Sequence, residues 1–305
     1  MFLKSILLTT LITLSICTGC DSQVDIEKSK QTSTASKIQI NIGTVGSDVL
    51  DEIRSLQPFI KYLNNHSELS SYHFSGTAAT NKENLYLMMK NKKIDIYIDS
   101  PFPIVSLKHQ LDIDILLRRW KKGVKEYHSV IFTHKESGIE TLDDLEEKVL
   151  AFEDPSSTGS YALPKAMLIK NGKSLQKVMQ SSSPVSAGHI GYIFSQDDSN
   201  TILWVVKKKV PAGAINNITF AQIPEAHKRH LKVIHKTQSI ARHLIAARPN
   251  LNKKFIETFT AVLLKMHQEE LGKKALKEYE KTSRFDQIPA KNNMIKQISE
   301  ILSIL

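Results

Sequence analysis

Five small residues in a row, Ser156-Ser157-Thr158-Gly159-Ser160, follow the apolar run Leu150-Ala151-Phe152. They precede a helix predicted from Tyr161, Ala162, Leu163, Ala166, Met167, Leu168 and Ile169, which stops at Asn171-Gly172. Hydroxyls and unpaired N–H groups at a helix start point the same way as the helix dipole, so such a turn can cradle an anion. Pro164 fits the first helical turn, where a missing N–H costs nothing. An ordinary Ser N-cap on a surface helix uses the same residue types, so this stretch alone leaves both readings open. Two more small polar turns follow predicted strands: Thr44-Val45-Gly46-Ser47 after Ile38–Gly43, and Asp99-Ser100-Pro101 after Ile94–Ile98. Ligands of α/β sheets bind beyond the carboxyl ends of strands, and the recurrence favours a binding cleft.

Other chemistry finds little support. His227 and His230 would share a helical face with His235 nearby, but no carboxylate stands at a metal-ligand spacing and there is no HExxH. Nucleophile-elbow, Walker and dinucleotide-binding motifs are missing too. Asp143, Asp144, Glu146 and Glu147 crowd a helix start, where carboxylates suit the dipole, and read as capping. The only cysteines, Cys17 and Cys20, leave the remainder without a thiol for a disulfide, a metal or catalysis. No enzyme activity and no cofactor are expected.

These turns need elements to hold them. Met1–Gly19 reads as a secretory signal, with Lys4, an apolar run, then small residues. Thr18-Gly19-Cys20 resembles a bacterial lipobox, which implies lipidation of Cys20 and anchoring by acyl chains. Asp21 resembles the signal for retention on the inner membrane, so the expected location is the periplasmic side of that membrane. Ser22–Lys37 is polar and reads as a tether. From Ile38, strands alternate with helices: a helix with Leu50, Ile53, Leu56, Phe59, Ile60 and Leu63 on one face, strands at 72–74, 94–98, 113–120, 127–133 and 149–152. Apolar runs at 191–194, 201–206 and 211–215 have strand length, Thr141 is placed to cap a short helix, and the chain is helical from about Asn250. This order predicts an α/β protein with largely parallel sheets. The formal net charge of +10 suits an anionic ligand or membrane surface, while no nucleic-acid-binding motif accompanies it.

Several stretches together resemble the periplasmic phosphate/phosphite/phosphonate-binding proteins of ABC transporters: YIDSPFP at 97–103, LRRWKKGVKEYHSVIFTHKESGI at 117–139, FEDPSSTGSYALPKAML at 152–168 and GYIFSQDDSNTILWVVKKKVPAGAINN at 191–217. The resemblance implies a two-lobed type II periplasmic-binding-protein fold with the ligand between lobes. One lobe would be residues 38–125 plus 239–305, the other 126–238, after a signal peptide at 1–19 and a lipidated tether at 20–37. It implies an oxyanion held by Ser156, Ser157, Thr158 and Gly159, by Ser100, and by Tyr127 with His128 beside it. Read from the residue alone, Tyr127 is equally a strand tyrosine packing its ring.

Two departures stand out. Aminophosphonate binders of this family pair the amine with carboxylates of the second lobe, and Gly213-Ala214-Ile215-Asn216-Asn217 carries amides there. That counts against an aminophosphonate. Asp99, next to the cradle, would repel a phosphate unless a proton is shared; it accepts from a protonated oxyanion, pairs with a cationic ligand group, or faces Arg118 or Arg119. The implied function is a monomeric, lipid-anchored solute receptor that delivers a small phosphorus oxyanion to ABC permease subunits. A module of the same fold signalling to a membrane kinase or cyclase is the alternative.

Overall fold

The computed structural model describes residues 36–46 and 48–305; the expected signal peptide, Cys20 and the tether up to residue 35 lie outside them. Strands β1 (Ile38–Val45), β2 (Tyr72–Ala79), β3 (Ile96–Asp99) and β4 (Asp114–Arg119) come first. A short β5 (Glu126–Tyr127) leads to β6 (Ser129–His134), β7 (Val149–Phe152), β8 (Ser174–Lys177), β9 (His189–Phe194), β10 (Ala212–Asn216) and β11 (Leu231–Lys236). Another short strand, β12 (Ile240–Ala241), returns the chain to β13 (His243–Ala247) and β14 (Phe285–Asp286). They form two six-stranded sheets, ordered β14-β4-β13-β3-β1-β2 and β11-β6-β10-β7-β9-β8. β5 and β12 pair with each other, Ile240 opposite Tyr127, so the two crossovers between sheets run side by side.

The sheets are mixed, where the sequence predicts largely parallel ones. β1 is parallel to β2 and β3, and β7 to β9 and β10. β13 lies antiparallel between β3 and β4, and β6 antiparallel between β10 and β11. A strand returning from the other sheet arrives at the opposite end from one fed by a crossover helix, so it runs the other way.

Each sheet is covered on both faces. Alternation in β3 sends Ile96 and Ile98 to one core and Tyr97 to the other. Asp48 caps the helix Val49–Asn65 by accepting from the N–H groups of Leu50 and Asp51, and Leu56, Phe59, Ile60 and Leu63 bury its inner face. Leu50, expected on that face, is exposed. The two halves touch through the helix Leu163–Lys170, whose Leu163 and Ala166 share a core with Phe102, Ile104 and Ile298.

Two local readings change. The run 201–206 is helical within Asp198–Val206, because Asp197 caps it and the buried Thr201 and Val205 stand four residues apart on one face. At 141–145 it is Asp144, not Thr141, that accepts: its Oδ2 takes the N–H groups of Glu140 and Thr141 and the Thr141 hydroxyl.

Candidate functional site

The carboxyl ends of β1, β3, β7, β9 and β10 converge on one cavity of about 460 Å³. Seven of the eight predicted ligand-binding residues line it: Asp99, Ser100, Tyr127, Ser156, Ser157, Thr158 and Gly159. His128 does not. Its main chain is occupied by Asn217, which takes the His128 N–H on its side chain and returns its own N–H to the His128 carbonyl.

The turn after β7 opens with a π-type turn, Thr158–Ala162, before the helix Leu163–Lys170. Ala162 N–H reaches the Ser157 carbonyl and Leu163 N–H the Thr158 carbonyl. Ser157 Oγ caps the turn, accepting from Ser160 N–H at 3.1 Å. The hydroxyl of Ser156 donates to Asp154, and that of Ser160 to Asp198 Oδ1 at 2.7 Å. Much of the hydroxyl supply that the sequence offers to a solute is therefore spent inside the lobe. The N–H groups of Thr158 and Gly159 take no partner among the described residues, and they are the donors left at the helix start.

Thr158 reaches across to the other lobe. Its Oγ1 donates to Ser100 Oγ at 2.9 Å and accepts the Phe102 N–H at 3.1 Å. Phe102 lies in a helix, Pro101–Gln110, that begins directly after the Asp99-Ser100 turn. Gly159 is needed where it stands, since a Cβ there would lie 2.7 Å from Tyr127 Cε2 and 2.9 Å from Asn216 Cβ. Tyr127 itself is buried, and burial pushes its hydroxyl up to about 12, which keeps it a proton donor.

Asp99 faces neither Arg118 nor Arg119. Its Oδ2 accepts the Tyr97 hydroxyl and its Oδ1 the Ser100 N–H, both at 2.5 Å. Arg118 is held by Asp286 and Glu126, and Arg119 by Glu280. Behind Asp99 and His243 lies a second cavity of about 160 Å³, between Glu52, Arg119, Lys121 and Glu280. Burial, with Lys121, Arg119 and Arg242 nearby, holds His243 neutral, well below its ordinary range.

Sequence reasoning missed several residues of the cavity wall: Lys82, Glu153, Asp154, Asp198, Arg242 and His243. Burial, then the neighbouring Asp198, pushes Glu153 up to about 7, and burial also raises Asp198. Carboxylates thus stand in the second-lobe wall after all, supplied by the ends of β7 and β9 rather than by the amide-bearing 213–217 segment. Glu153 and Asp154 could have been found beside the turn, while Arg242, set between two short strands, carries no sequence signal.

Among known proteins, residues 48–292 match the family described as ABC transporter, phosphonate, periplasmic substrate-binding protein. A Xanthomonas citri protein solved with chloride superposes at a TM-score of 0.82 with 19% identity, covering 87% of this chain and 98% of its own. A Prochlorococcus marinus phosphonate-binding protein in complex with methylphosphonate gives 0.65 and 18%, covering 87% and 97%. The binding component of a Pseudomonas aeruginosa ABC phosphonate transporter gives 0.64 and 18%, covering 88% and 86%. At these identities the likenesses speak for the fold, which is the two-lobed type II periplasmic-binding-protein fold.

Proposed function

Because the chain belongs to the periplasmic substrate-binding proteins of phosphonate ABC transporters, we propose that its interlobe cleft binds a small phosphorus oxyanion. Members of this family bind a small solute for ABC permease components and are not enzymes. The observation that carries the finer reading is one cavity lined by Thr158, Gly159, Ser100 and Tyr127. Two N–H groups at a helix start that take no partner among the described residues, a hydroxyl from the facing lobe and a buried phenol converge there. Charge-assisted hydrogen bonds of this kind contribute about 1.5–3 kcal/mol each.

Within phosphate, phosphite and phosphonates, the wall favours a phosphonate that carries an amine. Glu153 and Asp198 are ill at ease as neighbouring half-buried carboxylates, and an ammonium between them would relieve both desolvation and repulsion. This reverses the expectation drawn from Asn216 and Asn217. Residues 38–125 with 239–305 would form one moving lobe and 126–238 the other, hinged at the paired β5 and β12. Lipidation at Cys20 would hold the receptor on the periplasmic face of the inner membrane.

A thermal-shift screen against phosphate, phosphite, methylphosphonate, aminoethylphosphonate and sulfate tests the solute. A ligand at 100 times its Kd adds about 2.7 kcal/mol of stability, several degrees in midpoint. Aminoethylphosphonate is expected to give the largest shift. Silence with every phosphorus oxyanion would sink the reading.

A further inference from the structure

Among the described residues Arg242 forms no ion pair, although Asp198 feels its charge. By contrast, Arg118 is paired with Asp286 and Glu126, Arg119 with Glu280 and Arg248 with Asp95. Its Nε is buried and has no hydrogen-bond partner. A buried donor on a charged group is costly to leave unmade, and this one lies in the wall of the cleft.

Its position is fixed from several sides. The guanidinium lies over the Tyr127 ring, 4.6 Å from the centroid. The Arg242 N–H donates to the Lys125 carbonyl at 2.9 Å. On either side, Ala241 pairs with Glu126 and His243 with Arg119. Arg242 therefore sits on the crossover between the two sheets, beside the paired strands proposed above as the hinge.

We propose that Arg242 is the charge partner of the solute's anionic group and the residue that makes the cleft select doubly charged tetrahedral head groups over singly charged ones. This rests on the reading of the cleft as an oxyanion site and adds what sets its charge preference. The Thr158 and Gly159 N–H groups, Ser100 and Tyr127 are neutral donors, which hydrogen-bond to a monoanion and a dianion alike. The remaining charges on the wall are Lys82 at the start of its helix and the carboxylates of Asp99, Glu153, Asp154 and Asp198. Those carboxylates oppose an anion, so a fixed cation in contact with it decides whether a second negative charge is welcome. A planar guanidinium with a free Nε also matches two oxygens of one tetrahedral group.

The test uses ligand pairs that differ in head-group charge: methylphosphonate with methanesulfonate, and aminoethylphosphonate with taurine. At about pH 9, above the second ionisation of an alkylphosphonate, which is higher than the ~6 of a phosphate ester, the phosphonate groups carry close to two negative charges and the sulfonate groups one. Calorimetric titration of the wild type, Arg242→Gln and Arg242→Lys gives the phosphonate-to-sulfonate affinity ratio. The wild type is expected to prefer the phosphonate of at least one pair. Arg242→Gln should lose at least tenfold in phosphonate affinity with a smaller loss for the sulfonate, and Arg242→Lys should fall between the two. An Arg242→Gln variant that binds phosphonate with the wild-type ratio would overturn the proposal while leaving the oxyanion cleft standing. A wild type that binds neither member of either pair would overturn this proposal, and the oxyanion reading with it if phosphate and phosphite are silent too.

Discussion

Thr158 Oγ1 lies 2.9 Å from Ser100 Oγ and 3.1 Å from the Phe102 nitrogen, so a single side chain of the second lobe holds a hydroxyl and a main-chain N–H of the first. The bond spans the cleft at the point where the donors of the turn gather. Thr158→Ala removes that tie and leaves the buried Phe102 N–H without its acceptor, at about 1–3 kcal/mol. Solute affinity is expected to fall by roughly tenfold, read by calorimetry with the best phosphonate from the screen. Unchanged affinity would mean that closure does not run through this contact. Ser157→Ala acts differently, because Ser157 Oγ caps the turn at Ser160 N–H, and it should cost about 1 kcal/mol of stability as well.

Gly159→Ala tests the close approach of turn and phenol. The added methyl meets Tyr127 and Asn216 at distances that real side chains do not tolerate, so something must move. Overpacking of this kind costs about 1–3 kcal/mol. A lower urea midpoint together with weakened solute binding is expected. A variant as stable and as tight as the wild type would show that Tyr127 moves aside freely.

The Glu153–Asp198 pair gives the empty protein a pH signature. Glu153 holds its proton in the folded state up to about 7, while an unfolded glutamate has lost it near 4.5. In between, the folded state binds more protons than the unfolded chain, so stability falls with rising pH. The contribution is fully present below about pH 4.5 and gone above about pH 7. Melting curves from pH 4.5 to 8 should therefore show the wild-type midpoint falling relative to Glu153→Gln. Affinity for aminoethylphosphonate should rise over the same window more steeply in the wild type than in Glu153→Gln, because the head group's own second ionisation is common to both. Parallel melting profiles for the two proteins would contradict the assignment.

Glu280 anchors a different cluster. It takes Arg119 at 2.9 Å and Lys121 at 2.7 Å, and the Arg119 guanidinium lies 3.6 Å from the centre of the Tyr279 ring. Arg119 is almost fully buried. Removing the carboxylate by Glu280→Ala strands that charge, at about 3 kcal/mol. Urea denaturation should show the loss, and Arg119→Met combined with Glu280→Ala should recover part of it. A double variant no better than the single one would argue against the charge as the cause.

Much of this protein was legible in its residues before any fold was known. Alternation at 38–43, the helical face from Leu56 to Leu63 and the turns at 99–101 and 156–160 are local signals, written within a few neighbouring residues by strand and helix periods. The motif stretches added the two-lobed fold and seven residues that line one cavity. Where local signals were weak, the reading slipped: 201–206 is apolar enough for a strand, and only Asp197 and the spacing of Thr201 and Val205 make it a helix.

What tertiary structure alone decided was the company those residues keep. β13, far along the chain, inserts between β3 and β4 and sets His243 beside Arg119. The crossover pairing of β5 with β12 brings Arg242 over Tyr127, more than a hundred positions earlier. Asp198 meets Ser160 through the parallel pairing of β7 with β9. Contacts at such separations depend on sheet order and on which lobe a strand returns to, and no local period encodes either. The sequence by itself therefore determined the elements and the donor-rich turn, and the fold alone decided which charges face the solute.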